Sequence, residues 1–142
     1  MTTLDRAILI AVQSHQGQRD RYGINYIIHP LRVMLNFKTE KEMIVAVLHD
    51  VLEKSDWTLQ KLRAEEFDND ILEAVDLLTR RDSQNYEDYI NKLKGNSLAR
   101  RIKIADIEDN MNPKRMGRLS EEDSEKLSQL RRARRILMAD DE

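Results

Sequence analysis

Three titratable side chains share one short apolar run. The stretch "VAVLHDVLEK", residues 45–54, sets His49, Asp50 and Glu53 among valines and leucines. An imidazole with carboxylates at this spacing suits metal ligation or proton transfer. The His-Asp pair alone says little. Three histidines and fourteen aspartates in 142 residues supply about 0.3 such dipeptides by chance, and a pair on a helix surface is the plain alternative. Two further positions add weight. His29 lies in "YIIHPL" at a helix start, where capping or packing is its alternative role. Asp106 lies in "RIKIADIEDNM" with Ile102, Ile104, Ala105 and Ile107 around it. An acid in such a run is costly to bury unless it is paired or bound to a metal, so a salt bridge to an arginine is the alternative there. Together His29, His49, Asp50 and Asp106 offer two imidazoles and two carboxylates from three separate helices. That set suits a divalent transition metal such as manganese, with positions left open for water.

Helical spacing extends the group. Glu53 follows His49 by four residues and Asp50 by three, which places it on the same side of one helix. Lys103, Asp106 and Asn110 stand at i−3, i and i+4 and share a face of theirs. A lysine, an acid and an amide so aligned can hold a phosphate, a metal and a sugar or base; a solvated helix surface is the alternative for Lys103 and Asn110.

The elements that must position these groups are helical almost throughout. Leu4, Ala7, Ile8, Ala11 and Val12 form one apolar stripe on a first helix that Gly17 ends. "QGQRDRYGINY" reads as a loop, and Pro30 suits the first turn of a helix through "LRVMLNF". Thr39 and Glu42 have capping-box spacing and open a helix through "KEMIVAVLHDVLEK". Asp56 or Thr58 starts the next, with Leu59 and Leu62 inward. "NDILEAVDLLT" carries a stripe of Ile71, Leu72, Val75 and Leu78, and "NYEDYINKLKG" is closed by Gly95. "SLARRIKIADIEDNM" ends near Pro113, and Ser120 with Asp123 caps a last helix through "KLSQLRRARRILM". The expected fold is all-α, a bundle of about seven or eight amphipathic helices in one domain over residues 1–142.

Composition narrows the function classes. With no cysteine, disulfides, zinc–thiolate sites and thiol catalysis are excluded. The net charge of −2 and 5% aromatic content argue against a nucleic-acid partner, although basic residues cluster locally in "NPKRMGR" and "LRRARR". Apolar runs such as "MIVAVL" are far too short to span a bilayer. The N-terminus "MTTLDRAILI" lacks a basic n-region. A cytoplasmic protein with no membrane partner is the expectation, and nothing in the sequence specifies an oligomeric state.

Taken together, "HQGQRDRYGINYIIHPLRV", "AVLHDVLEKSDWT" and "IKIADIEDNM" resemble the hydrolase domain of the RelA/SpoT alarmone enzymes, within the HD-domain phosphohydrolases. In size the chain is most similar to their stand-alone small alarmone hydrolases. The resemblance runs from about residue 4 to residue 111, with three motifs in order. It implies one manganese ion held by His29, His49, Asp50 and Asp106, with Glu53 positioning or activating the attacking water and Asp50 beside it in the catalytic group. It also implies nucleotide contacts from Arg19, Lys103 and Asn110, and a packing role for His15. The implied reaction is hydrolysis of the 3′-pyrophosphate of guanosine tetra- or pentaphosphate to GDP or GTP and pyrophosphate. With no synthetase segment expected, such a protein removes alarmone and does not make it. One position departs: the family's hydrolases usually follow the glutamate with an aspartate, and Lys54 stands there. That departure keeps two other readings open, an HD-type phosphohydrolase for another nucleotide and a catalytically weak nucleotide-binding homologue.

Overall fold

The computed structural model describes residues 2–116 and 120–139; the end of the basic run 112–118 lies outside the described residues. Among the described residues ten helical segments follow in order: α1 (Thr3–Ser14), α2 (Ile28–Met34), α3 (Glu40–Leu48), α4 (Val51–Lys54), α5 (Leu59–Ala64), α6 (Asn69–Leu78), α7 (Tyr86–Lys94), α8 (Ser97–Asn110), α9 (Pro113–Met116) and α10 (Glu121–Met138). Two of them, α4 and α9, are single turns of four residues, so the remaining eight match the expected bundle. Among the described residues no strand forms; Arg19 and Asn25 make one isolated antiparallel bridge. No described helix is long and apolar enough to cross a membrane.

Local chemistry starts the helices. Thr2 with Asp5 and Ser120 with Asp123 form reciprocal capping boxes. Thr39 accepts the Glu42 amide, but its hydroxyl also donates to the Glu42 carboxylate, so only half of the expected box forms there. Thr58, rather than Asp56, caps α5. The helix expected through Phe37 stops earlier, with Leu35 as the C-cap of α2. Pro113 does more than end α8: it opens α9, where a missing N–H costs nothing.

The centre of the bundle is α3. Ile44, Val45, Ala46, Val47 and Leu48 are all buried, because α1, α2, α6 and α8 pack around it. A helix apolar on every side needs such a jacket. Polar residues then enter the core stripes of the neighbours. On α2 the buried positions are His29, Pro30, Val33 and Met34. On α8 they are Ala99, Ile102, Asp106 and Ile107. His29 and Asp106 thus occupy places that packing alone would give to an aliphatic residue.

One expectation needs correction. Residues 41–54 do not form a single helix: α3 ends at Leu48 and α4 begins at Val51. The His49 ring nitrogen Nδ1 donates to the Ala46 carbonyl at 2.6 Å, and Asp50 follows at φ −105°, ψ −2°. This break lets His49 and Asp50, adjacent in sequence, aim their side chains at one point.

Leu48 makes the packing testable. It is fully buried, so Leu48→Ala is expected to lower the unfolding free energy by about 2–5 kcal/mol in chemical denaturation. A loss below about 1 kcal/mol would show that α3 is not the packed centre.

Candidate metal centre

Four side chains from α2, the α3–α4 break and α8 converge. One ligand atom each from His29, His49, Asp50 and Asp106 falls within 4.8 Å of all the others. Nε2 of His29 lies 2.8 Å from Asp106 Oδ1 and 3.8 Å from Asp50 Oδ2. Nε2 of His49 lies 3.3 Å from Asp106 Oδ1 and 3.1 Å from Asp50 Oδ2. Neighbouring donors around an octahedral ion with bonds of about 2.1 Å stand about 3 Å apart, so these separations fit one divalent ion. The donor chemistry fits as well. Both Nδ1 atoms are already engaged, His49 with the Ala46 carbonyl and His29 with Asp109 Oδ2 at 2.6 Å. Each ring therefore presents Nε2 to the cluster, in the way that ligating histidines are oriented by a partner on the far nitrogen.

Electrostatics without an ion show what the site demands. Burial works against charge on His49, yet the Asp50 and Asp106 carboxylates raise its pKa well above the ordinary value. Burial also opposes charge on His29, and hydrogen bonds to Asp106 and Asp109 raise it. For Asp106, burial favours the neutral form, but Lys103 and His49 hold it well below the carboxylate range. Positive charge is drawn to this point from every side, supplied either by two imidazolium rings or by a metal.

Further groups tie down the ligands. Lys103 Nζ donates to Asp106 Oδ2 at 2.7 Å, and Asn110 Nδ2 donates to Asp106 Oδ1 at 3.2 Å. Tyr26 donates its hydroxyl to Asp50 Oδ2 at 2.5 Å. Asp109, only 8% exposed, accepts from His29, Arg32 and Arg115; against the effect of burial these partners bring its pKa down to about 2. Tyr26 and Asp109 were not singled out by the sequence reading. Each stands three residues from a ligand, His29 and Asp106 respectively, and that spacing was the available signal.

Beside the ligands opens a cavity of about 390 Å³, lined by Asp50, Glu53 and Lys103 together with Arg80, Arg81 and Tyr89. Glu53 sits at its exposed edge. Shielding of the carboxyl and the Asp50 charge raise its pKa, while Lys103, the Arg80 backbone N–H at 3.3 Å and Lys54 oppose the rise. Lys54 itself is exposed, with Nζ 4.8 Å from the centre of the Tyr26 ring. Arg80 lies over Tyr86 and Arg81 pairs with Asp76; this loop carried no sequence signal beyond its two arginines. Of the expected nucleotide contacts, Lys103 lines the cavity while Arg19 and Asn110 do not. Arg19 is exposed and donates to the Gly23 carbonyl of its own loop at 3.0 Å, and Gly23 has the left-handed φ of +82° that tightens this loop. His15 is buried against Tyr26 and bonds Gln18; burial lowers its pKa, so a neutral packing histidine describes it.

Fold and site together define an all-helical bundle carrying a two-histidine, two-aspartate cluster. No protein-family model matches the chain. In sequence it is similar to the guanosine-3′,5′-bis(diphosphate) 3′-pyrophosphohydrolase of Borreliella burgdorferi, 39% identical over 79 residues, which is 53% of this chain and 12% of that protein. It is also similar to the enzyme of the same name from Vibrio cholerae, 33% identical over 89 residues, 60% of this chain and 12% of that one. The chain thus aligns with about an eighth of the length of these relatives. In three dimensions it shares its fold with a structure described as a metazoan ortholog of SpoT that hydrolyzes ppGpp. The TM-score is 0.80 at 21% identity, covering 97% of this chain and 86% of that one.

The raised histidine pKa values give the centre a pH signature. A cation held by this cluster would take neutral imidazoles, so its binding would expel protons from His29 and His49, and divalent-metal affinity is expected to rise with pH. Without metal the sign reverses: stability from the protonated rings is present below the ordinary histidine value of 6.5 and is lost as pH rises through the raised values. Titration calorimetry in buffers of different ionisation enthalpy measures the proton release; binding with no protons released contradicts the assignment.

Proposed function

We propose that the chain is a metal-dependent phosphohydrolase that removes the 3′-pyrophosphate of guanosine tetra- or pentaphosphate, with manganese as its ion. The observation that carries this reading is the four-residue cluster beside a cavity lined by the carboxylates of Asp50, Glu53 and Asp82 and by three cations, Arg80, Arg81 and Lys103. His29, His49, Asp50 and Asp106 would hold the ion, which supplies Lewis acidity for phosphoryl transfer when bound. Water adds to the phosphorus next to the 3′ oxygen, the ester O–P bond breaks, and the nucleotide leaves with a 3′-hydroxyl while pyrophosphate departs.

Glu53 is the group that takes a proton from the attacking water. Its raised pKa brings it closer to the operating pH, where a general base is most effective. Lys103, Arg80 and Arg81 offset charge on the departing pyrophosphate. Lys103 does so while bound to Asp106, so the cavity and the ligand cluster share one cation. Asn110 orients Asp106, and Arg19 reaches the nucleotide only if its loop contact to Gly23 is exchanged for one to substrate. The similarity to the two bacterial pyrophosphohydrolases supports the choice of substrate. A nucleotide of another kind is the reading that Lys54 favours, since its ammonium opposes the basicity of Glu53.

The test is pyrophosphate release from guanosine tetraphosphate with Mn²⁺ present. Wild-type protein should turn over, and Glu53→Gln should lose about 10²–10⁴-fold in kcat with its manganese content unchanged. Equal turnover by the variant would remove Glu53 from the chemistry, and inactivity of the wild type on this substrate, with activity on another nucleotide, would overturn the substrate assignment.

A further inference from the structure

Arg115 has no part in the reaction as described, yet it is the most heavily bonded arginine near the cluster. It stands in α9 with 13% of its side chain exposed. Its Nη1 donates to Asp109 Oδ2 at 2.9 Å, to Asn110 Oδ1 at 3.0 Å and to the Asp109 carbonyl at 3.3 Å. Its Nη2 donates to Asp20 Oδ2 at 3.3 Å, ninety-five residues away in sequence. The cavity beside Glu53 is lined without it.

A guanidinium only donates. Next to Arg115 the Asn110 amide must therefore turn its oxygen outward, which leaves Nδ2 to donate to Asp106 Oδ1. The same guanidinium holds Asp109 Oδ2, the atom that accepts the His29 Nδ1 proton and so aims Nε2 at the cluster. One side chain thus sets the orientation of partners to two ligands on different helices, His29 on α2 and Asp106 on α8. Asp20 anchors the far edge of the fork. Its other oxygen accepts the Tyr22 and Ile24 amides at 2.9 and 3.0 Å, so Arg115 is gripped by a loop that is itself ordered. Arg32 also binds Asp109, through Nε to Oδ1 at 2.8 Å and through Nη2 to Oδ2 at 3.2 Å, so it shares that oxygen with Arg115, but it reaches neither Asn110 nor Asp20 in the described contacts.

We propose that Arg115 is a positioning residue of the metal centre: it holds Asp109 and Asn110 so that His29 and Asp106 meet a divalent cation in ligating geometry. The inference rests on reading His29, His49, Asp50 and Asp106 as a metal site. Outer partners of ligands typically carry about 10–100-fold of metal affinity, and that is the size of effect expected here.

The experiment is a Mn²⁺ titration of the full chain, following free Mn²⁺ by electron paramagnetic resonance, with the metal-free melting temperature recorded for each variant. Arg115→Gln should weaken Mn²⁺ binding about 10–100-fold, and Arg115→Lys should recover part of the loss. Asp20→Asn releases only the far anchor and should weaken binding by a few-fold in the same direction. It keeps the inference testable if Arg115→Gln does not fold. Unchanged Mn²⁺ affinity with a lowered melting temperature would mean that Arg115 merely fastens α9, and unchanged affinity with a raised KM would mean that it meets substrate; either overturns the proposal. If the wild type itself binds no Mn²⁺, the reading of the cluster as a metal site fails, and the inference with it.

Discussion

The structure turns on one buried carboxylate. Asp106 lies on the core stripe of α8, 4% exposed, where its neighbours along the stripe are Ala99, Ile102 and Ile107. A lone charge in that place is untenable, and removing one partner of a buried pair typically costs about 3–5 kcal/mol. Its two oxygens divide the work. Oδ2 is held by Lys103, and Oδ1 faces both imidazoles and the Asn110 amide. Every partner except those on α8 must be brought in by another helix, so the packing of α2 and α3 against α8 is also the assembly of the site.

That requirement accounts for features that packing does not explain. The apolar half of α3, buried by four neighbours, would be better served by continuing through residue 54, but the chain breaks after Leu48 and commits the Ala46 carbonyl to the His49 ring. The turn delivers His49 and Asp50 to Asp106, and the short α4 then sets Glu53 at the cavity edge. Lys103 joins the two halves of the site. It neutralises Asp106 and also lines the cavity, so a phosphate drawn into that cavity would compete with Asp106 for the same ammonium and adjust the cluster as it bound.

The bundle was legible in the sequence because amphipathic periodicity and caps are local. The stripe Ile71, Leu72, Val75 and Leu78 and the Ser120–Asp123 box are read from neighbours within four residues. The convergence of these side chains was legible in part, since an acid at position 106 and a histidine at position 29 interrupt apolar stripes. The break in "VAVLHDVLEK" was not, because no glycine or proline marks it and the helical pattern runs through; the side-chain bonds that accompany it reach the Ala46 carbonyl and the distant Tyr26 and Asp106. Tyr26 reaches Asp50, Arg80 reaches Glu53 and Arg115 reaches Asp20 across 24, 27 and 95 residues of chain. No local period encodes such meetings. Arg19 shows the converse: its motif suggested the site, but its own loop holds its side chain by the Gly23 carbonyl.

Asp106 and its three companions are proposed to form one metal site rather than a purely ionic knot. Anomalous diffraction at the manganese edge, from crystals of Mn²⁺-loaded protein, tests it most directly. A metal site there gives a single strong peak in the gap between His29 Nε2, His49 Nε2, Asp50 and Asp106, within about 2.0–2.4 Å of each donor. A peak elsewhere on the chain, or none with both histidines still bonded to the aspartates, would contradict it.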